Sequence, residues 1–371
     1  MQKIMQFTTA MSDGGAETLI KDYAVLLDNR EYEVVIATIY NVKHSANYTP
    51  LKENGVKIVS VFNSHSLLTR AFRTLFGRFY IPYKLKKIIK EEKPDCIHTH
   101  LQVLRYLDAV KKVLKGITLL YTCHSLPSCM LPVGSHEWKA AKSLIENNRM
   151  QMIALHPKMA NEINGMFDIE NTQIINNGVD FRKFRNIEKT KKDIRNDLKI
   201  PLDSFVVGHV GRFSLPKNHI FLLDVFKEIT NRCEKAFLLL VGNGPLEPQI
   251  CEKIKNLGLQ EKVRILSHRS DVPELLTAMD VFLFPSLFEG LPVSLVEAQV
   301  VGLKCVISET IDKNSILSPI TVVKNLSDSV QDWADTVLDN TLTNDKYGNI
   351  EDYDMEKAIK KLEFLYREGV S

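Results

Sequence analysis

Short runs of β-branched and apolar residues alternate with longer segments of helical periodicity, and this alternation constrains the fold more than any other feature. The predicted strands of the N-terminal half are Lys3–Ala10, Glu33–Tyr40, Val56–Phe62, Asp95–His100, Ile117–Cys123 and Gln151–Leu155. Helices are predicted between them, for example over Ala16–Leu27 and Val103–Leu114. Most of these strands are continuously apolar at their centres, which is typical of parallel strands covered on both faces. The alternation therefore predicts a doubly wound α/β unit.

The same alternation begins again after a polar, charged stretch over residues 186–203. The strands predicted there are Phe205–Val210, Ala236–Val241, Val263–Leu266, Val281–Phe284 and Lys304–Ile307. The helices predicted between them are Asn218–Thr230, Leu246–Leu257, Val272–Ala278 and Pro292–Val301. Two wound units predict an α/β protein with two Rossmann-like domains facing across a cleft, residues 1–181 and residues 182–354. A charged C-terminal helix over residues 355–371 has one apolar face and could pack on either domain.

The composition agrees with two soluble domains. The length of 371 residues favours two domains over one or four. With 48 Lys and Arg against 45 Asp and Glu, and 44% apolar residues, a disordered, collagen-like or disulfide-scaffold chain is excluded. We expect no nucleic-acid partner.

Six cysteines without a C-x-x-C pair indicate a reduced, cytoplasmic compartment and no zinc cage. No stretch approaches the roughly 18 to 20 apolar residues of a membrane span.

A basic segment over residues 68–93 contains eight Lys and Arg and only two acidic residues, Glu91 and Glu92. Aromatic and aliphatic side chains are interleaved with these charges. One interpretation is a solvated helix that packs on a sheet through its apolar stripe. The other is a peripheral contact in which this surface binds the anionic lipid of a membrane. The sequence leaves both interpretations open.

Ligands of doubly wound sheets bind beyond the carboxyl ends of the strands, so the residues that follow each predicted strand are the candidates for chemistry. Gly14 and Gly15 stand between the first strand and the first helix. A glycine pair there lets backbone amides approach an anion at the helix N-terminus, although a plain tight turn explains the pair equally well. The G-x-G-x-x-G spacing and an acidic residue after the second strand are missing, which argues against a nicotinamide site.

The loop from Gly211 to Asn218 follows the first strand of the second half and carries two cations, Arg212 and Lys217. Such a pair can clamp a diphosphate, with Arg as a planar fork and Lys as a point charge. A further glycine turn, Gly242–Pro245, follows the next strand. A cation on a loop is usually only solvated, but the position at a strand end favours a binding role here.

Two glutamates flank a predicted helix start near residue 292. Pro292 suits the first helical position, so Glu289 lies in the preceding loop and Glu297 in the second helical turn. A carboxylate within this nearly apolar helix is costly without partners, and a ribose diol would supply two hydroxyl donors. The alternative is that Glu297 pairs with an internal Arg or Lys. The backbone amides that would point at a phosphate are those of Leu291, Val293 and Ser294.

Three histidines lie at the ends of the fourth and fifth predicted strands. Alternation puts His98 and His100 on one face, where a metal pair is conceivable, but no third ligand has a suitable spacing. We therefore predict no metal site and expect both to be structural histidines. His124 follows the fifth strand, and we expect it to donate a hydrogen bond to a substrate hydroxyl.

Five segments together resemble retaining GT-B glycosyltransferases of the group-one (family four) type. They are Gly14–Glu17, Asn177–Asp180, Gly211–Asn218, Gly242–Pro245 and Glu289–Glu297. The match runs in order from near residue 8 to near residue 310, and the spacing of the last two glutamates is its most specific element. The segment Leu266–Val272 and the tripeptide at 284–286 resemble enzymes of capsule and exopolysaccharide assembly in particular.

The resemblance implies a role for individual residues. Arg212 and Lys217 would neutralise the diphosphate of a nucleotide sugar. Glu297 would hold the ribose, and Glu289 would contact the transferred sugar. His124 would touch the sugar or stabilise developing positive charge through its backbone carbonyl. The other donor-binding residues it implies are Gly14, Gly15, Gly211, Gly244, Ser267, Gly290, Leu291, Pro292 and Val293.

The implied reaction moves a hexose or N-acetylhexosamine from a UDP-sugar to a hydroxyl of a glycan or lipid-linked glycan in bacterial polysaccharide assembly. Anomeric configuration would be retained by same-face attack, with the departing phosphate oxygen taking the acceptor's proton. No metal or other cofactor is expected, because side-chain cations and helix N-termini supply the electrostatics. The resemblance also implies that the C-terminal helix packs on the first domain. Two alternatives remain: a non-catalytic subunit with the same fold, and a UDP-sugar epimerase.

Overall fold

The computed structural model describes residues 1–12, 14–27, 29–43, 45, 47–63, 67–289, 292–341, 343–344 and 346–368, with the side chains of 67–72 and 368 outside this description. The chain divides into two compact units. Unit 1 comprises Met1–Gly178 and Glu356–Ser371, and unit 2 comprises Val179–Met355. In the described ranges, no helix combines the length and the apolar character that crossing a membrane requires.

Unit 1 is built on a seven-stranded parallel sheet in the order β3-β2-β1-β4-β5-β6-β7. The strands are β1 (Gln2–Thr8), β2 (Tyr32–Tyr40), β3 (Lys57–Phe62), β4 (Cys96–His100), β5 (Thr118–Thr122), β6 (Gln151–Ala154) and β7 (Gln173–Ile174). The chain first adds strands on one side of β1 and then continues with β4 on the other side. This reversal opens a crevice at the carboxyl ends of β1 and β4, where such sheets bind ligands.

Helices connect the strands of unit 1, and the last helix of the chain belongs to it as well. They are α1 (Gly15–Leu26), α2 (Tyr48–Glu53), α3 (Leu67–Glu92), α4 (Leu104–Asp108), α5 (Pro127–Met130), α6 (His136–Asn148), α7 (Pro157–Phe167) and α15 (Met355–Glu368). Tyr366 of α15 is buried, and its hydroxyl accepts a hydrogen bond from Gln6 Nε2 at 3.0 Å. The Tyr366 carbonyl accepts another from Gln2 Nε2 at 2.5 Å. The apolar face of α15 is therefore anchored on the first strand of unit 1.

Unit 2 repeats the arrangement with a six-stranded parallel sheet in the order β10-β9-β8-β11-β12-β13. Its strands are β8 (Phe205–Val210), β9 (Ala236–Val241), β10 (Val263–Leu266), β11 (Val281–Phe284), β12 (Lys304–Ser308) and β13 (Thr321–Lys324). Its helices are α8 (Phe181–Arg185), α9 (Lys191–Asp197), α10 (His219–Arg232), α11 (Glu247–Asn256), α12 (Val272–Thr277), α13 (Val293–Val300) and α14 (Val330–Leu338). Here the order reverses between β8 and β11, which again opens a crevice at their carboxyl ends.

Every predicted strand is present within two residues of its predicted ends, because a run buried on both faces is visible as a continuous apolar segment. Two strands at sheet edges, β7 and β13, were not predicted. Strand β7 has only two residues, both exposed, so it has no apolar run. The helix predicted over Val103–Leu114 is wrong in length, since α4 ends at Asp108. The Asp108 carboxylate accepts a hydrogen bond from Ser143 Oγ of α6 at 2.7 Å, a tertiary contact.

A histidine at the start of α10 makes the stability of the protein depend on pH. His219 is 2% exposed, and neither ring nitrogen has a hydrogen-bond partner among the described residues. Burial, assisted by the nearby Lys217 charge, lowers the pKa of His219 to about 4. The unfolded chain takes up this proton near pH 6.5, so the free energy of unfolding falls as the pH drops from 6.5 towards 4.

We expect His219→Phe to flatten the dependence of the unfolding free energy on pH by up to about 1.4 kcal/mol per pH unit below pH 6.5, because up to one proton fewer is taken up on unfolding. Urea unfolding at pH 7, 6 and 5 measures this slope. The same change at the exposed His136 is the matched control and is expected to leave the slope unchanged. An unaltered slope in the His219 variant would contradict the assignment.

Candidate active site

The loop after β8 lies at the reversal of strand order in unit 2. The Gly211 amide donates to the Val241 carbonyl at 2.9 Å, and the Phe213 amide donates to the Asn243 carbonyl at 2.8 Å. The Phe213 side chain is fully buried beneath the loop. The loop ends in a single 3-10 turn over Leu215–Lys217. These bonds tie the backbone of the loop to the end of β9, so that it is a fixed platform for its two cations.

Glycines let the loops after β8 and β9 approach each other closely. A Cβ atom on Gly242 would overlap the carbonyl oxygen of Gly211, and one on Gly244 would overlap the carbonyl oxygen of Phe213. A Cβ atom on Gly211 would lie 3.1 Å from Lys217 Cε, which is tight but not an overlap. Gly242 and the predicted donor-binding Gly244 therefore set the spacing between the two loops, whereas Gly211 makes room for Lys217 within its own loop.

The structure brings Lys217 and Glu289 together. Lys217 Nζ lies 2.7 Å from Glu289 Oε1, and the two side chains are only 15% and 13% exposed. Nζ also lies 4.6 Å from the centroid of the Phe284 ring, a cation–π contact. The Leu287 amide donates to the Pro216 carbonyl at 2.7 Å and joins the two loops. Because partly desolvated charges attract more strongly than charges in water, the loop after β8 and the loop after β11 form one electrostatic unit.

Arg212, the second predicted cation, projects differently from Lys217. Its side chain is exposed, and it forms no ion pair with the carboxylates that the structure describes. An exposed guanidinium keeps all its donors available for a planar anion such as a phosphate. The crevice of unit 2 therefore has one cation held by a carboxylate and one open to ligands.

Glu297 lies in the second turn of α13 as predicted, but it is half-buried rather than enclosed, which corrects the sequence-based expectation. The core-facing positions of this helix are Leu295, Val296, Ala298 and Gln299. Glu297 stands between these positions on the more exposed face. The polar side chain that is buried here is Gln299, whose Oε1 accepts hydrogen bonds from the Leu317 amide at 2.6 Å and Thr321 Oγ1 at 3.0 Å. Gln299 thus has the internal role that burial alone would assign to Glu297.

Helix α13 begins at Val293, with Pro292 as its N-cap rather than its first helical residue. The Pro292 carbonyl accepts hydrogen bonds from the amides of Leu295 at 3.0 Å and Val296 at 3.3 Å. The amides of Val293 and Ser294 have no acceptor among the described residues. They are available to an anion, as expected for a first helical turn. The predicted donor-binding residues Gly290 and Leu291 lie outside the described residues.

Ser267, the donor-binding residue predicted after β10, braces the glycine turn. Its Oγ donates to the Gly242 carbonyl at 3.1 Å. The next residue, His268, has a φ of 54°, and its ring lies 3.2 Å from Asn243 Nδ2. Ser267 and His268 therefore extend the same crevice beside the loop after β9.

The two predicted glycines of unit 1 differ in their surroundings. Helix α1 begins at Gly15, with Gly14 as its N-cap, and the Thr18 amide donates to the Gly14 carbonyl at 2.9 Å. The buried Glu17 carboxylate accepts a hydrogen bond from Ser12 Oγ at 2.6 Å, and a Cβ atom on Gly14 would overlap it. Open space surrounds the corresponding Cβ position of Gly15. A side chain at position 14 would therefore displace the Glu17 carboxylate, whereas Gly15 leaves room for a ligand.

His124 is half-buried and forms a cluster with the buried imidazoles His98 and His100 at the carboxyl ends of β4 and β5. Its Nε2 lies 2.9 Å from His100 Nδ1, and His100 Nε2 lies 2.6 Å from Gln6 Oε1. The ring centroids of His98 and His100 are 4.2 Å apart. Burial lowers the pKa of His124 to about 4, and burial together with the neighbouring rings holds the pKa of His100 well below its usual value. These side chains are therefore uncharged at neutral pH.

Sequence reasoning missed Gln6 and Tyr366 as members of this cluster. Their side chains are in contact although 360 positions separate them, so no local pattern pairs them. The available signal was the alternation in β1, which turns Gln6 towards one face of the sheet.

Among the described residues, no group of three or more His, Cys, Asp or Glu side chains is arranged to hold a metal ion.

Comparison with known proteins identifies the family of this chain. Residues 13–183 match the family Glycosyltransferase Family 4, and residues 190–315 match Glycosyl transferases group 1. EpsF of Bacillus subtilis (strain 168) is 28% identical over 349 residues, covering 91% of this chain and 87% of EpsF. The Escherichia coli UDP-Gal:alpha-D-GlcNAc-diphosphoundecaprenol alpha-1,3-galactosyltransferase is 27% identical over 306 residues, covering 76% of this chain and 77% of that enzyme.

The crystal structure of Anabaena Alr3699/HepE in complex with UDP and glucose superposes with a TM-score of 0.77 at 19% identity, covering 99% of this chain and 100% of that chain. The fold is therefore GT-B, with two Rossmann-like α/β domains. The chain belongs to the group 1 (family 4) glycosyltransferases, so the resemblance read from its motifs is confirmed.

Gly244 and Gly15 test which of the predicted glycines the fold requires. We expect Gly244→Ala to lower the free energy of unfolding by about 2 kcal/mol, because the new methyl group overlaps a backbone carbonyl that cannot move aside cheaply. We expect Gly15→Ala, whose methyl group enters open space, to change it by no more than about 0.5 kcal/mol. Urea unfolding compares the two variants. Equal losses would contradict the close packing of the two loops.

Proposed function

We propose that the protein is a retaining glycosyltransferase that moves a hexose or N-acetylhexosamine from a UDP-sugar to a hydroxyl of a glycan or lipid-linked glycan. The observation that carries this proposal is the group formed by Lys217 and Glu289, with Arg212 exposed on the same loop. Cations at the carboxyl ends of strands suit the diphosphate, and a carboxylate beside them suits sugar hydroxyls.

The proposed roles follow from the position of each group. Arg212 and Lys217 stabilise the negative charge that develops on the departing diphosphate, assisted by the amides at the start of α13. Glu297, on the more exposed face of that helix, accepts hydrogen bonds from the ribose. Glu289 is held by Lys217 and is suited to orient the transferred sugar rather than to attack it. Retention then proceeds by same-face attack, with a departing phosphate oxygen taking the proton of the acceptor hydroxyl.

The relatives support the choice of substrates. The Escherichia coli relative is named for transfer from UDP-Gal to a diphosphoundecaprenol-linked sugar, and a Staphylococcus aureus relative is named as the capsular polysaccharide biosynthesis glycosyltransferase CapH. We therefore propose a UDP-hexose donor, a lipid-linked acceptor and a role in bacterial polysaccharide assembly. We further propose that the transfer needs no metal ion, because side-chain cations occupy the crevice where a metal would neutralise phosphate. A cytoplasmic location accords with six free cysteines.

Paired substitutions test the roles of Lys217 and Glu289. We expect Lys217→Gln and Glu289→Gln each to lower kcat/KM about a hundredfold or more, because each removes a preorganised charge that acts on the reacting groups. The matched controls are Lys253→Gln and Asp224→Asn, which break another ion pair of unit 2, at 2.6 Å. Transfer from radiolabelled UDP-sugars to a membrane lipid extract is measured with and without EDTA. Wild-type rates in either site variant would remove that residue from the proposed site.

The same assay distinguishes the alternatives. Label that enters the organic phase supports transfer, whereas a changed sugar that stays in the nucleotide pool would indicate an epimerase. No conversion with any UDP-sugar would indicate a non-catalytic subunit. Loss of transfer on adding EDTA would contradict metal independence alone.

We also propose that α3 contacts anionic membrane lipid. The exposed side chains of its described part include Leu75, Phe76, Phe79 and Tyr83, which are 54% to 76% exposed. Arg78, Lys86, Lys87 and Lys90 are exposed on the same helix. The apolar stripe that packs inward is a different one, formed by Ile81, Leu85 and Ile89. A helix with exposed aromatic residues among cations is typical of an interfacial membrane surface. The side chains of residues 67–72 of the predicted basic segment lie outside the described residues.

We expect Phe79→Ser to weaken binding to vesicles of anionic phospholipid about tenfold, because the variant lacks the largely exposed aromatic ring that would be buried in the interface. Co-sedimentation with anionic and with zwitterionic vesicles measures this binding, which salt is expected to weaken. Leu202→Ser, at an exposed apolar position of unit 2, is the control. Binding that ignores lipid charge, or that survives the Phe79 change, would contradict the membrane contact.

A further inference from the structure

A continuous chain of hydrogen bonds runs from α15 to the end of β5 within unit 1. Gln6 lies at its centre, since Nε2 donates to the Tyr366 hydroxyl and Oε1 lies 2.6 Å from His100 Nε2. His100 Nδ1 in turn lies 2.9 Å from His124 Nε2. Gln6, His100 and Tyr366 are 0%, 0% and 1% exposed. Bulk water therefore does not compete for these bonds, and the donors and acceptors of the protein determine which ring nitrogen carries each proton.

Sheet register assembles this chain. Strand β1 pairs with β4 so that Gln6 is opposite His98, and β4 pairs with β5 so that His100 is opposite Thr122. Alternate residues of a strand share a face, so Gln6, His98 and His100 lie together on one side of the sheet. His124 continues that side two residues beyond Thr122.

The donors and acceptors along the chain have one direction. The Gln6 carbonyl oxygen can only accept, so His100 Nε2 carries a proton and His100 Nδ1 has a lone pair. That lone pair accepts the proton of His124 Nε2. A neutral imidazole has a single N–H, so His124 Nδ1 is a bare acceptor. Turning the Gln6 carboxamide by 180° would reverse both tautomers and place a proton on His124 Nδ1.

A second branch of the network continues from Gln6 through Tyr366 to His98. The Tyr366 hydroxyl, which accepts from Gln6, lies 2.8 Å from His98 Nδ1, and His98 Nε2 lies 2.8 Å from Thr122 Oγ1. The Tyr366 hydroxyl can therefore donate its own hydrogen bond to His98 Nδ1, and the His98 Nε2–H then donates to Thr122 Oγ1. Burial lowers the pKa of His98 to about 3, so this branch is also uncharged at neutral pH.

His124 Nδ1 is the open end of the hydrogen-bond chain from Gln6 through His100 to His124, which we call the relay. Its surface is covered, and it has no hydrogen-bond partner among the described residues, whereas the residue as a whole is partly exposed. A buried acceptor without a donor is unfavourable, and a donor group from a ligand would relieve this. Because Nδ1 is covered in the unliganded chain, such a group reaches it after a local displacement of the covering atoms.

We propose that Gln6 is a positioning residue that acts through His100 to fix His124 in the tautomer with a bare Nδ1, so that His124 accepts a hydrogen bond from a ligand hydroxyl. A bare nitrogen binds an O–H group and repels unprotonated phosphate and carboxylate oxygens. Within a nucleotide sugar, the hydroxyl groups qualify and the diphosphate does not; because the proposed function assigns the ribose to Glu297, the hydroxyls of the transferred sugar are the ligand of His124. This polarity is opposite to the donor role expected for His124 from the sequence. The identity of the ligand rests on the proposed function, whereas the tautomer does not.

Nitrogen-15 NMR of the histidine-labelled full chain tests the tautomer directly. Long-range proton–nitrogen correlations distinguish a protonated from an unprotonated ring nitrogen, and the signals of His124 are assigned by their loss in His124→Asn. We expect an unprotonated Nδ1 in the free wild-type protein. Gln6→Met removes the oxygen that orients His100 and is expected to give a mixture of tautomers at His124. Thr122→Val, which removes only the far partner of His98, is the matched control and is expected to leave His124 unchanged.

Activity then tests whether Gln6 acts through His124. We expect Gln6→Met to lower kcat/KM for transfer from UDP-glucose about three- to tenfold, the value of one neutral hydrogen bond. In a His124→Asn background, the Asn oxygen replaces the acceptor without needing the relay. There, Gln6→Met is expected to change kcat/KM less than twofold, whereas a merely structural effect of Gln6 would persist. Adding UDP-glucose, but not UDP, is expected to shift the His124 Nδ1 signal.

A protonated Nδ1 in the wild-type spectrum overturns the proposal, and it does so even if Gln6→Met fails to fold. The proposal is also overturned if Gln6→Met leaves the tautomer of His124 unchanged, or if UDP and UDP-glucose shift the His124 Nδ1 signal equally. If the tautomer is as expected but no UDP-sugar binds or is consumed, the proposed function fails while the relay stands.

Discussion

Parallel strand pairing, with a reversal of strand order in each sheet, is the constraint on which the rest of the structure depends. In a parallel sheet every strand ends at the same edge, so the loops that follow the strands are gathered there. At β1 and β4 in unit 1, and at β8 and β11 in unit 2, connections leave in opposite directions and the loops separate into a crevice. Gly15, Lys217 and Glu289 follow strands that border such a reversal, and His124 follows β5, the neighbour of β4.

The two crevices present different kinds of functional group. In unit 2 the functional groups are charged: Lys217 is held between the Glu289 carboxylate and the Phe284 ring, and Arg212 stays exposed. In unit 1 the pKa values of the clustered His98, His100 and His124 are lowered by burial, so these rings are neutral and present a direction of hydrogen bonding. Charged groups suit a diphosphate, whereas an oriented neutral acceptor suits hydroxyls. A nucleotide sugar has both kinds of group.

Much of the fold could be predicted from the sequence because a strand buried on both faces appears in the sequence as a continuous apolar run. The short edge strands β7 and β13 escaped because their stability comes from one neighbour rather than from their own composition. The position of Glu297 was predicted correctly and its burial was not, since helical phase relative to the core decides exposure, and that phase depends on packing against β11 and β12. Gln299, two residues and about 200° of helix rotation away, has the buried role instead.

The sequence by itself determined the two wound units, the family, and the residues that follow each strand, because these depend on short-range periodicity and on motifs of fixed spacing. Only the tertiary structure decided that Lys217 pairs with Glu289 and that Gln6 and Tyr366 belong with the histidines. These contacts join residues up to 360 positions apart across different elements. Their energies depend on burial and on the direction of each hydrogen bond, and neither quantity exists until the sheets have formed.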